Sequence, residues 1–294
     1  MARHAQALAS CAPWRDAERD IEMSRLVGYG ANRDDRRRAA LHQERDAIAA
    51  PAPEGPTGWG GGFYQNGEVL HKKRPRMPGT PAKAPVDWEG IAGDVRSDCA
   101  LLHLRQPTVG DFTSHDTHPF RLRRWLFAHT GTIDRFEAVR DTLAGSLPDF
   151  LLRNVRGKTD SELLFHTLLS FLHDAGQLGR PDVDPAAVVG AIRTGVALVD
   201  RLVAEVQGEP AVLNLMLTNG RHFFALRRGA PLGWVERRGL FDPPEDLVPP
   251  SSGAQTLRYV MAASGPAAAN AWVELPEGAI LEVDRDLVAS VHGA

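Results

Sequence analysis

Cysteine is the scarcest residue type in this chain: Cys11 and Cys99 are the only two among 294 residues. That is too few for a disulfide framework or an all-thiolate zinc site, and it fits a reducing cytoplasm better than secretion. Lysine is nearly as rare, with Lys72, Lys73, Lys83 and Lys158 among 34 basic residues, a bias that carries no functional message. No charge of one sign dominates either. A formal net charge of -3 gives no reason to expect nucleic acid or a membrane surface as partner. Long apolar runs are absent, and the best, Val188 to Val203, is broken by Arg193 and Asp200. It falls short of the ~18–20 residues that span a bilayer and reads as a soluble helix. Leu8-Ala9-Ser10-Cys11 has the look of a lipoprotein cleavage site, but the apolar stretch of ~7–15 residues that a signal peptide needs does not precede it.

What is present is an ordinary globular composition, 43% hydrophobic and 24% charged, in a chain long enough for an ample core. Residues 1–22 carry charge without apolar periodicity and read as an extension; residues 23–294 read as one domain. Ser24 to Gly30 is a short strand ending at glycines. The charges crowded from Arg33 to Arg38 read as a solvated face, and Pro51 to Gly58 as a loop. Asn66-Gly67 between two extended runs marks a hairpin. The basic run Lys72-Lys73-Arg74-Pro75-Arg76, leading into Pro78, Pro81 and Pro85, reads as a surface loop. Cys99 to Leu104 is strand-like, with Cys99 a small buried hydrophobe. Trp125 to Ala128 reads as an interior strand ended by His129 to Thr132.

Thr159-Asp160-Ser161-Glu162 fits a capping box, with Thr159 accepting from the third amide and Glu162 reaching back. Leu164, Leu168 and Leu172 continue that helix on one face, and Asp184-Pro185 opens a second amphipathic helix through Val188, Val189, Ile192 and Val196. Asn219-Gly220 between Ala211–Thr218 and Arg221–Arg228 predicts a type I′ hairpin. Further strands are expected at Leu257–Ala263 and Ala279–Val283, and the Pro-rich Phe241–Pro250 reads as an active-face or surface loop. Strands, then helices, then strands again predict α+β layering with both halves of the chain supplying the sheets.

Six fragments carry the chemistry: Ser24-Arg25-Leu26 with Gly28-Tyr29; Trp59-Gly60; His103-Leu104-Arg105 with Thr108 and Gly110; Thr117-His118-Pro119-Phe120; Phe127-Ala128-His129-Thr130-Gly131; and Gly157-Lys158-Thr159-Asp160-Ser161-Glu162. In this order and at these separations they resemble the type-2 (class II) glutamine amidotransferases, above all the stand-alone bacterial members that open Met-Cys-Arg. The likeness continues through Asn214–Leu226 and from Val260 to Pro276. It implies an N-terminal-nucleophile hydrolase: a four-layer αββα sandwich, two antiparallel sheets between helical layers. It also implies a reaction in which residue one attacks the side-chain amide of glutamine, ammonia leaves, and an acyl-enzyme is hydrolysed. The free α-amino group, with a pKa of about 7.7–8.0, serves as general base. By this resemblance Arg105 pairs bidentately with the substrate α-carboxylate, Asp160 holds the substrate ammonium, Thr108 lines the same pocket, and Gly131 offers its backbone N–H to the oxyanion. No cofactor is implied.

Two positions depart from the family pattern, both at the chemistry. Ser24 stands where the catalytic cysteine is expected, and Thr130 where the oxyanion-hole asparagine of His-Asn-Gly is expected. A serine hydroxyl is far less ionised than a thiol near neutral pH. As written, Ser24 has 23 residues ahead of it; a start at Met23 with methionine removal would expose its amine. Two functions follow as expectations. One is an amidohydrolase acting on glutamine or a γ-glutamyl amide, alone or passing ammonia to a partner enzyme. The other is a non-catalytic relative that binds an amino-acid-like ligand or a protein. His103, His115, His118 and His129, with Asp116, invite a metal-site reading, but hydrogen-bonding roles behind the site are the favoured account. Trp59 and Trp125 read as core, and Gly60-Gly61-Gly62 as strand-edge geometry, since no Gly-Lys-Ser/Thr follows it to form a phosphate cradle.

Overall fold

The computed structural model describes residues 24–49, 58–75, 87–93, 95–105, 113–241, 243–247, 255–265 and 271–294. The extension 1–22 with Cys11, the residue Met23, most of the Pro51–Gly58 loop, Arg76 to Pro85, and Thr108 with Gly110 all lie outside the described residues. In chain order the elements are β1 (Arg25–Ala31), α1 (Arg37–Gln43), β2 (Gly58–Gln65), β3 (Glu68–Arg74), α2 (Trp88–Ala92), β4 (Cys99–Arg105), β5 (Phe120–Leu122), β6 (Trp125–Thr132), α3 (Phe136–Gly145), α4 (Asp149–Leu152), α5 (Asp160–Asp174), α6 (Pro185–Glu205), β7 (Val212–Thr218), β8 (Phe223–Leu226), β9 (Leu232–Arg238), β10 (Arg258–Ser264), β11 (Val273–Glu274), β12 (Ile280–Val283) and β13 (Ala289–His292).

The strands form two sheets, ordered β11-β9-β10-β1-β4-β2-β3 and β13-β12-β8-β7-β6-β5, and every pairing is antiparallel. Alternation along the strands explains how they stack. Leu26, Leu101, Val260 and Ala262 of the first sheet join Leu126, Ala128, Met216 and Ala225 of the second in one cluster between the sheets. The opposite face of the first sheet, with Val27, Tyr29, Leu102 and Met261, packs under α1 and α2. The opposite face of the second, with Phe127, Leu215 and Phe224, packs under α3, α5 and α6. The result is the expected four-layer αββα sandwich. Glu44, just past α1, locks one outer layer by accepting from Arg237 Nε at 2.8 Å, Tyr259 Oη at 2.7 Å and Trp272 Nε1 at 2.7 Å.

Tertiary packing overrides several local expectations. The arginine-rich stretch is not a solvated face: Arg36 and Arg37 are buried. The Arg37 guanidinium lies 4.6 Å over the Phe63 ring and donates through Nη2 to the carbonyls of Ala92 and Val95, which offsets part of the cost of burying it. Lys72 to Arg74 belong to β3, an edge strand, where basic side chains discourage pairing with another chain. Gly60-Gly61-Gly62 is not at an edge, because β2 runs between β4 and β3. Its thinness admits the Thr117–Phe120 segment: a Cβ on Gly60 would sit 1.9 Å from the His118 carbonyl oxygen, and one on Gly62 3.1 Å from Pro119 Cγ. His129 to Thr132 continue β6 instead of ending it. The Asn66-Gly67 turn forms with both residues left-handed, but at Asn219-Gly220 only the glycine is. There the link spans four residues, and Asn219 Oδ1 accepts the amides of Arg221 and His222.

Candidate functional site

The first sheet brings Ser24 and Arg105 together through strand register. β1 and β4 pair with Leu26 opposite His103 and Arg25 opposite Leu104, so one step further Ser24 stands opposite Arg105. Both continue the alternation of Leu26 and Leu101 and lie on the face turned to the second sheet. Arg105 is buried, Ser24 half-buried. The start of β1 is anchored from the other side by β10: the Leu26 amide donates to Ser264 Oγ at 2.9 Å, and Arg25 reaches the carbonyl of Gly265 at 3.2 Å.

The second sheet contributes Thr130 and Gly131 from β6. Thr130 shares the inner face with Ala128, is 1% exposed, and its hydroxyl has no hydrogen-bond partner among the described residues. Gly131 has φ +128°, and a Cβ there would lie 1.9 Å from the Val212 carbonyl oxygen, so only glycine fits. His129 points the other way, toward α5, with Nδ1 2.9 Å from Ser161 Oγ and Nε2 3.2 Å from the Val212 carbonyl.

Asp160 is the first residue of α5, which Thr159 caps by accepting the Glu162 amide at 3.2 Å. The other half of the expected capping box is absent. Glu162 instead accepts the amides of Arg156 at 3.1 Å and Gly157 at 2.6 Å, tying down the approach to the helix. The buried Asp160 carboxylate accepts the Ile133 amide on Oδ2 at 2.9 Å and the Ser161 amide on Oδ1 at 2.7 Å. The first of these bonds fastens the helix start to the residue just past β6.

Three buried histidines lie near these groups. The rings of His103 and His118 lie 4.1 Å apart and both are buried; among the described residues neither His118 nitrogen has a hydrogen-bond partner. Burial, and then the Arg105 guanidinium, push His103 down to about 3. Burial likewise holds His118 far below its usual range. Burial lowers His129 too, while the Asp160 carboxylate pulls it upward. All three imidazoles are therefore neutral at neutral pH. Among the described residues no group of three or more His, Cys, Asp and Glu could hold a metal ion. Asp116 is occupied otherwise, accepting the Lys158 amide at 2.8 Å and the Thr113 hydroxyl at 2.7 Å.

Of the residues picked from sequence, Ser24, Arg105, Thr130 and Gly131 thus gather at one end of the two facing sheets, and Asp160 is pinned beside the same end of β6. Thr108 lies outside the described residues. Cavities of about 450 Å³ beside α1 and about 700 Å³ near Asn32, Arg96 and Asp98 touch none of these side chains. The link from His129 through Ser161 to Asp160 was not anticipated. Its signal was Ser161 inside the Thr-Asp-Ser-Glu fragment, where the sequence showed only a helix start.

The family model for class-II glutamine amidotransferases matches residues 39–247, well over half of the chain; Arg105, Thr130, Gly131 and Asp160 fall inside that span and Ser24 before it. Among curated proteins, the "Probable glutamine amidotransferase DUG3" of Saccharomyces cerevisiae is 26% identical over 149 residues, 48% of this chain and 42% of that protein. The "Gamma-glutamyl-hercynylcysteine sulfoxide hydrolase" of Mycobacterium tuberculosis is 30% identical over 181 residues, 61% of this chain and 62% of that one. The matches therefore span less than two thirds of either relative. A solved class-II glutamine aminotransferase domain protein from Silicibacter pomeroyi shares the fold, with a TM-score of 0.59 and 20% identity over 91% of this chain and 98% of that one. With the sandwich, the order of motifs and the family match in agreement, the chain belongs to the class-II glutamine amidotransferases.

Proposed function

We propose that this chain hydrolyses the side-chain amide of glutamine or of a γ-glutamyl compound, with Ser24 as nucleophile and Arg105 and Asp160 as clamps on the substrate α-carboxylate and α-ammonium. The observation that carries this reading is the β1/β4 register, which sets Ser24 across from Arg105 on the face toward Thr130 and Gly131. A guanidinium forks onto a carboxylate bidentately. Attack by Ser24 Oγ on the amide carbon expels ammonia, and water then hydrolyses the ester. The mycobacterial relative, named as a γ-glutamyl hydrolase, supports widening the substrate class beyond free glutamine. Turnover is slow. Serine replaces a thiol, and Thr130 offers a shorter donor where an asparagine is expected; one lost oxyanion donor costs about 2.7–4 kcal/mol. The setting is cytoplasmic, without nucleic acid, membrane or cofactor, and released ammonia is free to pass to a partner enzyme.

The two replacements favour a second reading, a non-catalytic relative that keeps the Arg105 and Asp160 clamp to bind an amino-acid-like ligand or a protein partner. One experiment separates them. A chain that begins at Ser24, whose amine can act as base, is mixed with glutamine or γ-glutamyl amides and ammonia is measured. Release that disappears in Ser24→Ala and rises in Ser24→Cys with Thr130→Asn supports hydrolysis. Binding without release supports the second reading.

A further inference from the structure

We propose that His129 and Ser161 are positioning residues that reserve the Asp160 carboxylate for a substrate ammonium, making the site selective for α-amino acids over their deamino analogues. The proposal rests on the reading of Asp160 given above. His129 Nε2 faces the Val212 carbonyl at 3.2 Å. A carbonyl only accepts, so Nε2 carries the ring proton and Nδ1 of the neutral ring is bare. Ser161 Oγ lies 2.9 Å from that Nδ1 and 3.2 Å from Asp160 Oδ1, and its single proton goes to the nearer acceptor. Asp160 is then fixed by two amide donors, Ile133 and Ser161. Neutral donors set the plane of a carboxylate without cancelling its charge.

Protonating His129 reverses the arrangement. Nδ1 becomes a donor, Ser161 Oγ accepts from it, and the hydroxyl proton turns to Asp160 Oδ1. A cation then stands one hydroxyl away from the place where the substrate ammonium binds. The charged and titratable groups around His129 are Asp160 on α5, His103 on β4 and His118 before β5, with Arg105 beyond the two histidines. Burial keeps the His129 ring neutral against the pull of Asp160, and this guards the carboxylate at neutral pH.

The test compares L-glutamine with glutaramate, the same molecule bearing hydrogen in place of its ammonium, by titration calorimetry on the full chain. Wild type is expected to favour glutamine by about tenfold or more at neutral pH, and that preference shrinks on acidification as His129 takes up a proton. His129→Gln, uncharged throughout, keeps its preference over the same range. In Ser161→Ala the neutral ring loses its hydroxyl donor, so the preference falls at higher pH than in wild type. An identical pH trend in all three proteins, or equal loss of both ligands in the variants, overturns the relay. Wild type that binds both ligands equally, or binds neither, refutes the reading of Asp160 itself. Near-ultraviolet circular dichroism confirms that each variant is folded; if His129→Gln is not, Ser161→Ala alone decides.

Discussion

Gly131 shows how much a single position can fix. Its φ of +128° is closed to other residues, and the space a methyl would need is already taken by the Val212 carbonyl oxygen. Gly131→Ala is expected to cost upwards of about 2 kcal/mol, since backbone strain of this kind costs about 1–3 kcal/mol before any clash. Urea denaturation measures it, and an unchanged midpoint would mean that β6 and β7 move apart freely. Thr130, next to it, has a buried hydroxyl with no partner among the described residues, which is expensive unless something binds there. The residue type at 130 was legible in the sequence. The lack of a partner for its hydroxyl was not, because that depends on what the facing sheet brings to it.

At the scale of elements, α5 carries the clearest agreement between sequence and structure. Thr159 caps it as expected. Thr159→Ala should lower stability by about 1 kcal/mol, read as a shift in the thermal midpoint; because Asp160 follows the cap directly, it should also weaken glutamine binding more than glutaramate binding. Stability loss with no change in that ratio would detach the cap from the site. Glu162 departed from its expected role because a closer donor pair, the Arg156 and Gly157 amides, competes for its carboxylate. The arginines at the start of α1 misled for a related reason. Charge predicts solvent unless carbonyls and an aromatic face are at hand, and those of Ala92, Val95 and Phe63 come from distant parts of the chain.

Across the whole molecule, two sheets sealed face to face enclose ionisable groups that must stay neutral. His103 and His118 are buried with their rings 4.1 Å apart. Unfolded, each titrates near 6.5; folded, His103 is pushed down to about 3 and His118 far below its usual range. The unfolded chain therefore binds more protons as pH falls below about 6.5, and stability drops through the window down to about 3 for His103. Each imidazole contributes up to about 1.4 kcal/mol per pH unit there. Urea titrations at neutral pH and at about pH 5 should show the loss; equal stability at both would mean that water reaches these rings.

The sequence by itself determined the α+β layering, the starts of α5 and α6, the Asn66-Gly67 hairpin and the family, because these depend on apolar periodicity, local hydrogen bonding and the spacing of motifs along the chain, whereas α1 to α4 left no such signal. Only the tertiary structure decided which side chains meet. Ser24 comes to face Arg105, 81 positions away, through the ladder between β1 and β4. His129 reaches Asp160 through Ser161 because the Ile133 amide fastens the start of α5 beside β6. Pairings of this kind are set by strand register and sheet stacking, and a one-residue slip in either would turn the same side chains to the opposite face.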